Sequence, residues 1–393
     1  LTGCAKRPQA TVTSGIEDPE SSWIRVLLFG NLNECTVYSY GGLMVEDRAM
    51  GATAWFPESD QDLTIALHEG RFQIGDHLFN GDLLIRTQTP FVFSINGSVF
   101  RGHIRLLRNE EGTSFSAINQ VPLESYLCGV IPSEMQSYWE PEALKVQAIA
   151  ARTYCLYVKN RFGQNRPWDL KRTQAHQVYR GLAAETTTTN EAVFQTEGLV
   201  LICPDADGKQ TLFPAYYSSS CGGHTENSRF VFGDQVPALE GVSCPYCRKT
   251  TRSEYYYWSG LFYSKEEINR RLMERYPSLA TLETIDRIEP ARQSEGERIT
   301  LIRLIGKNGN IGFLRGEDFR LALDPSGRKI KSAIFSLRTS PKGYEFVNGR
   351  GFGHGVGLCQ SGAQGMARLG KTCEEILEYY YPGSRLVRIT KTP

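Results

Sequence analysis

The stretch PEALKVQAIAARTYCLYVKN, residues 141–160, constrains the fold of this chain more than any other. Alanines at 143, 148, 150 and 151, with Leu144, Val146, Ile149, Leu156 and Val158, make it apolar nearly all round. It therefore predicts a central helix enclosed by the rest of the protein. Lys145 and Arg152 interrupt its apolar run, seven residues apart and so on nearly the same helical face. Buried cations need partners. Either structural carboxylates and backbone carbonyls neutralise them, or they line a cleft beside a carboxylate just upstream, Glu134 in the turn PSEM.

A chain of 393 residues is longer than the ~250 to 300 at which one core stops growing, so two or more lobes are expected. With 44 Lys plus Arg against 43 Asp plus Glu, there is no broad electrostatic attraction for nucleic acid. No run approaches the ~20 apolar residues of a membrane-spanning helix. The opening Leu1-Thr2-Gly3-Cys4 resembles a bacterial lipobox, and the polar stretch after it reads as a tether. The expectation is a protein of the bacterial cell envelope, outside the cytoplasmic membrane and held by an acyl chain on Cys4, against the alternative of a chance tetrapeptide.

Short β-like runs broken by Gly, Asn and Asp fill the region before residue 121. A short helix begins at Pro122, and SKEEINRRLMERY (264–276) reads as an amphipathic helix with Ser264 as N-cap and Glu267 completing a capping box. The fold class is α+β: a β-rich start, a central buried helix, and a Gly-rich C-terminal loop followed by helices.

Glu124, Glu140 and Glu142 sit at helix N-termini, where a carboxylate is favourable by up to ~1 kcal/mol. Glu134 has no such explanation, and by residue type alone it is a solvated turn residue. Of ten cysteines, Cys35, Cys128, Cys155, Cys203, Cys359 and Cys373 stand singly in apolar surroundings and read as free buried thiols. Cys221-x2-His224 and, twenty residues on, Cys244-x2-Cys247 form two knuckle-like pairs. Three thiolates and an imidazole suit a structural Zn2+ with no open position; the alternative is a Cys244 to Cys247 disulfide or redox pair. In GRGFGHGVGLCQSGAQGMA the glycines alternate from 349 to 357, and neither a Walker ending nor a dinucleotide fingerprint follows. His354 and Gln360 read as accessible there for substrate contact, against the alternative that loop structure alone explains the glycines.

The segments VPLESYLCGVIPSEMQSYWEPEALKVQAIAARTY, HQVYRG, AYYSSSCGGHTE and GRGFGHGVGLCQSGAQGMA, in this order, strongly resemble the stage II sporulation protein D family of peptidoglycan lytic transglycosylases, which also includes amidase enhancer proteins. The resemblance spans about residues 121–250 and 340–385. It implies that Glu134 is the catalytic acid, then base, and that Lys145, Arg152, Tyr179, Ser219, Ser220, His354 and Gln360 line the substrate cleft. It also implies glycan strands, denuded or not, as substrate, and an amidase as a partner for the alternative reading, a non-catalytic enhancer. A single carboxylate fits that chemistry: ordinary glycosidases use two, whereas here the C6 hydroxyl of N-acetylmuramic acid is the nucleophile and closes a 1,6-anhydro ring. The expected organisation is lipobox and tether (1–20), β-rich region (21–120), first part of the catalytic core with the zinc loop (121–250), accessory segment or insertion (251–330) and second part of the core (331–393).

Overall fold

The structure is a computed structural model that describes residues 11–12, 23–58, 61–174 and 176–389; Cys4, the expected acylation site, lies outside them. Strands account for 36% and helices for 29%, the expected α+β class with a β-rich start. Two compact units interleave along the chain. One holds the chain up to Trp139, Gln147–Val200 and the end from Val387; the other holds Glu140–Val146 and Leu201–Leu386.

The first unit contains two sheets. The seven-stranded one runs, in spatial order, Leu170–Lys171, Trp23–Leu32, Phe115–Pro122, His103–Arg108, Leu83–Thr87, Leu43–Asp47 and Thr53–Phe56. In Trp23–Leu32 alternate residues Ile24, Val26 and Leu28 are buried, the period-two pattern of a strand with one face on a core. The six-stranded sheet, centred on Glu34–Tyr38 and Leu63–His68, contributes Val37, Ile65, Phe72 and Ile74 to the interior. The rings of Phe72 and Phe115, one from each sheet, meet edge-on with centroids 5.2 Å apart.

Helix α1 (Leu123–Glu134) follows the seven-stranded sheet, and α2 is Pro141–Phe162. Between Ala143 and Thr153 every residue of α2 except Lys145 is buried, as its composition predicts. Helix α1 runs further than expected. Pro132 lies inside it, so Glu134 is its last residue and not part of a turn. Proline there forfeits one N–H, yet the turn still closes through the Met135 N–H to the Ile131 carbonyl at 2.9 Å. A third helix, α3, spans Thr187–Gln195, with Thr186 as its N-cap.

In the second unit two three-stranded sheets and the helices Lys265–Arg275 and Gly316–Leu323 share one core that includes Ile268, Leu272, Ile302, Leu304, Phe319 and Phe346. Residues of the 251–330 segment thus pack in the same core as Phe335, Tyr344 and Phe346. Ser264 caps its helix as predicted, accepting from the Glu267 N–H at 3.1 Å. The Glu267 carboxylate turns instead to Arg271.

Candidate active site and cysteine cluster

Glu134 ends α1 half-buried, and its Oε1 accepts the Val178 N–H at 3.2 Å. Val178 belongs to the QVYRG segment, which lies along α1 as a strap. Gln177 accepts the Tyr126 hydroxyl at 3.1 Å and donates to the Ala151 carbonyl at 3.1 Å, while the Arg180 N–H reaches the Gly129 carbonyl at 3.2 Å. Tyr179 is buried, its hydroxyl donating to Asn119 Oδ1 at 3.0 Å and its ring packed against Tyr126 and Phe100. The expected cleft contact of Tyr179 is therefore replaced by a positioning one: it seats the strap that holds Glu134. Of the aromatic residues just beyond α1, Tyr138 is 70% exposed and Trp139 is half-buried.

Lys145 and Arg152 of α2 have separate partners. Lys145 donates to Glu142 at 2.8 Å and remains partly exposed. Against the cost of burial, this bond and the Cys373 N–H at 2.7 Å hold the Glu142 carboxyl below the usual range. Arg152 is wholly buried. Its guanidinium grips both oxygens of Glu124 at 2.9 and 2.5 Å and donates to the carbonyls of Leu199 and Val193 at 3.1 and 3.2 Å. Every arm of the fork is taken within the protein, which corrects the expectation that Arg152 lines the cleft. Glu124 is the counter-charge that its place in the first turn of α1 concealed.

The other expected substrate residues lie in the second unit. Strands Tyr217–Ser218 and Leu358–Cys359 pair in parallel, and the Ser361 N–H reaches the Ser219 carbonyl at 3.0 Å. Ser219 is half-buried. Ser220 is fully buried and accepts the Thr251 hydroxyl at 3.1 Å, and Gln360 opens the helix Gln360–Arg368 with 5% exposure. Neither is the accessible side chain expected, because the flanking glycines let this backbone pack closely. The glycines at 351, 353, 355 and 357 all have positive φ, so the alternation serves the path of the loop. Arg298, buried within the 251–330 segment, pins that path by donating to the Gly353 and Cys221 carbonyls at 3.3 and 3.1 Å. No motif marked it.

His354 clamps the same loop. Its Nε2–H donates to the Tyr217 carbonyl at 2.9 Å, and its Nδ1 accepts the Val356 N–H at 3.0 Å. Both ring nitrogens are thus engaged, in place of the substrate contact expected. Burial pushes the imidazole down to about 4, with Glu317 opposing and Arg298 assisting. A histidine depressed from ~6.5 binds fewer protons folded than unfolded between those two values, so stability falls as pH falls through that window. Urea unfolding at pH 7 and pH 5 is expected to show a loss of at most about 2 kcal/mol from this group. His354→Gln should flatten that part of the slope; His103 and His176, also depressed by burial, stay in the variant and account for the rest.

The zinc expectation needs one change of ligand. Cys221, Cys244, Cys247 and Cys359 are all buried, with their sulfurs within 4.8 Å of one another. His224 is not among them: its Nδ1–H donates to the Thr225 carbonyl at 2.6 Å, and it bridges Ser243 as a short β pair. Cys359, read as an isolated buried thiol, takes the fourth place. A sequence pairing rule could not have found it, because Cys359 lies 138 residues from Cys221 and is brought there by the parallel strand pair.

Comparison with known proteins decides the family. Residues 111–202 match the family described as "Stage II sporulation protein", and residues 246–357 match a domain of unknown function. The chain is 31% identical to stage II sporulation protein D of Bacillus subtilis, over 70% of this chain and 77% of that one. The chain belongs to the stage II sporulation protein D family. It is also 33% identical to an uncharacterized protein of Brachyspira hyodysenteriae over 76% of this chain and 75% of that one. A further relative is the amidase enhancer of Bacillus subtilis, 28% identical over 66% of this chain and 40% of that protein. The match at 111–202 contains Glu134, Arg152 and Tyr179 of this family member, whereas the cysteine cluster and His354 lie at or beyond its end. No helix among the described residues is long and apolar enough to cross a membrane.

Proposed function

We propose that this protein is a peptidoglycan lytic transglycosylase that cleaves the linkage from N-acetylmuramic acid to N-acetylglucosamine and leaves 1,6-anhydro ends. The observation that carries the reading is the placement of Glu134: a half-buried carboxylate at a helix end, oriented through Oε1 by the Val178 N–H. Elsewhere in its unit Glu124 is paired with Arg152, Glu185 with Arg101 at 2.7 Å and Asp169 with Arg25 at 2.7 Å. One carboxyl is enough for this reaction. Glu134 gives a proton to the glycosidic oxygen as the bond breaks, and the resulting carboxylate takes the proton of the C6 hydroxyl as that oxygen closes on the anomeric carbon. Bonds break and form without water or a second acid. The site of action is the cell envelope outside the cytoplasmic membrane, with Cys4 as the acylated anchor.

Mass spectrometry of products from purified glycan strands, denuded and peptide-bearing, tests the reaction. Anhydro-muramyl ends are expected; reducing ends would mean hydrolysis by water and sink the transglycosylase reading. The similarity to an amidase enhancer favours a second reading, a glycan-binding protein that stimulates a peptidoglycan amidase. It predicts stimulation of an added amidase with no glycan cleavage by this chain.

A further inference from the structure

We infer that Cys221, Cys244, Cys247 and Cys359 form a closed tetrathiolate site for one zinc-class ion, and that this site fastens the Ser219-Ser220 segment and the CPYC turn to the close of the Gly-rich loop. The inference is independent of whether the protein cleaves glycan. A tetrahedral ion with metal–sulfur bonds of ~2.3 Å sets its sulfurs about 3.8 Å apart. Cys221 and Cys247 have their sulfurs 3.7 Å apart, and all four lie within 4.8 Å. A disulfide needs sulfurs at about 2.05 Å, and the nine described cysteines are all free.

Donors other than the four sulfurs point at two of them. The Cys221 N–H donates to the Cys359 sulfur at 3.2 Å, and the Tyr380 hydroxyl lies 3.1 Å from the Cys244 sulfur. Donors aimed at sulfur from outside the cluster are what metal-bound thiolates accept, and they orient the ligands. Space is also kept for the cluster. A Cβ on Gly362 would fall 2.7 Å from the Cys244 sulfur, so the first turn of the helix tolerates no side chain there. Four buried sulfurs leave no position for water, which makes the ion a structural one.

The ligands come from three places: the stretch just after the strand Tyr217–Ser218, the CPYC turn into the helix Cys247–Thr250, and the residue before Gln360. One ion therefore links the Ser219-Ser220 segment, the CPYC turn and the close of the Gly-rich loop.

The test uses the full chain, reduced and then given one equivalent of Zn2+ followed by gel filtration. One zinc per chain is expected, retained in His224→Ala and reduced at least tenfold in Cys359→Ser. Because Cys359→Ser can fail to fold, X-ray absorption fine structure is also read on the unsubstituted protein, where four sulfur neighbours at about 2.3 Å are expected. Three sulfurs and one nitrogen, zinc lost from His224→Ala, no retained zinc, or a disulfide between any two of the four cysteines would each overturn the assignment.

Discussion

Glu134→Gln is expected to lower the release of anhydro-ended products by about 10²- to 10⁴-fold, the range that a positioned general acid and base contributes. The fold should survive. Glutamine is nearly isosteric, and its carbonyl oxygen still accepts the Val178 N–H, so the strap that seats Tyr179 against Tyr126 stays in place. What the amide lacks is a proton to give to the leaving oxygen and a charge with which to take one back. Thermal unfolding within a degree or two of the unsubstituted protein, with product loss measured by liquid chromatography and mass spectrometry, is the expected pair of results. Retained turnover would remove Glu134 from the mechanism. Amidase stimulation by both proteins, with no glycan product from either, would leave the enhancer reading standing.

How far the sequence could be read depended on the range of each interaction. Helix α2 was legible because its apolar composition states its environment locally, and the cap at Ser264 because it is complete within three residues. Glu134 was placed in a turn because Pro132 and Ser133 carry a turn signal, which the surrounding helix overrides. The partners of Arg152 were hidden. Glu124 already had a local explanation at a helix start, and the carbonyls of Val193 and Leu199 are backbone groups that no residue type announces. The zinc knuckles were half legible. Cys244 and Cys247 declare themselves by spacing, but His224 carries the same signal and faces elsewhere, while Cys359 reaches the cluster only through a long-range parallel strand pair. His354 and Gln360 looked accessible because glycines surround them. Those same glycines allow the close packing that buries Gln360 and engages both nitrogens of His354.

Arg152→Ala is expected to destabilise the protein by about 3 to 5 kcal/mol, the usual result of removing one partner of a buried ion pair. The loss is not that of a single contact. Glu124 keeps a largely buried charge without its counter-ion, and the Leu199 and Val193 carbonyls lose charged donors. Lysine cannot substitute, since one ammonium cannot span two carboxylate oxygens and two carbonyls that the planar fork reaches together. Arg152→Lys should therefore recover only part of the stability, measured by urea unfolding. The decisive comparison removes both charges. In Glu124→Leu with Arg152→Met no uncompensated charge is left, and stability should return to within about 1 to 2 kcal/mol of the original. If Arg152 acts only by holding α1 against the segment that follows α3, glycan cleavage returns with stability in that double variant. A stable double variant that stays inactive would instead place the guanidinium on the substrate, as the family resemblance first implied.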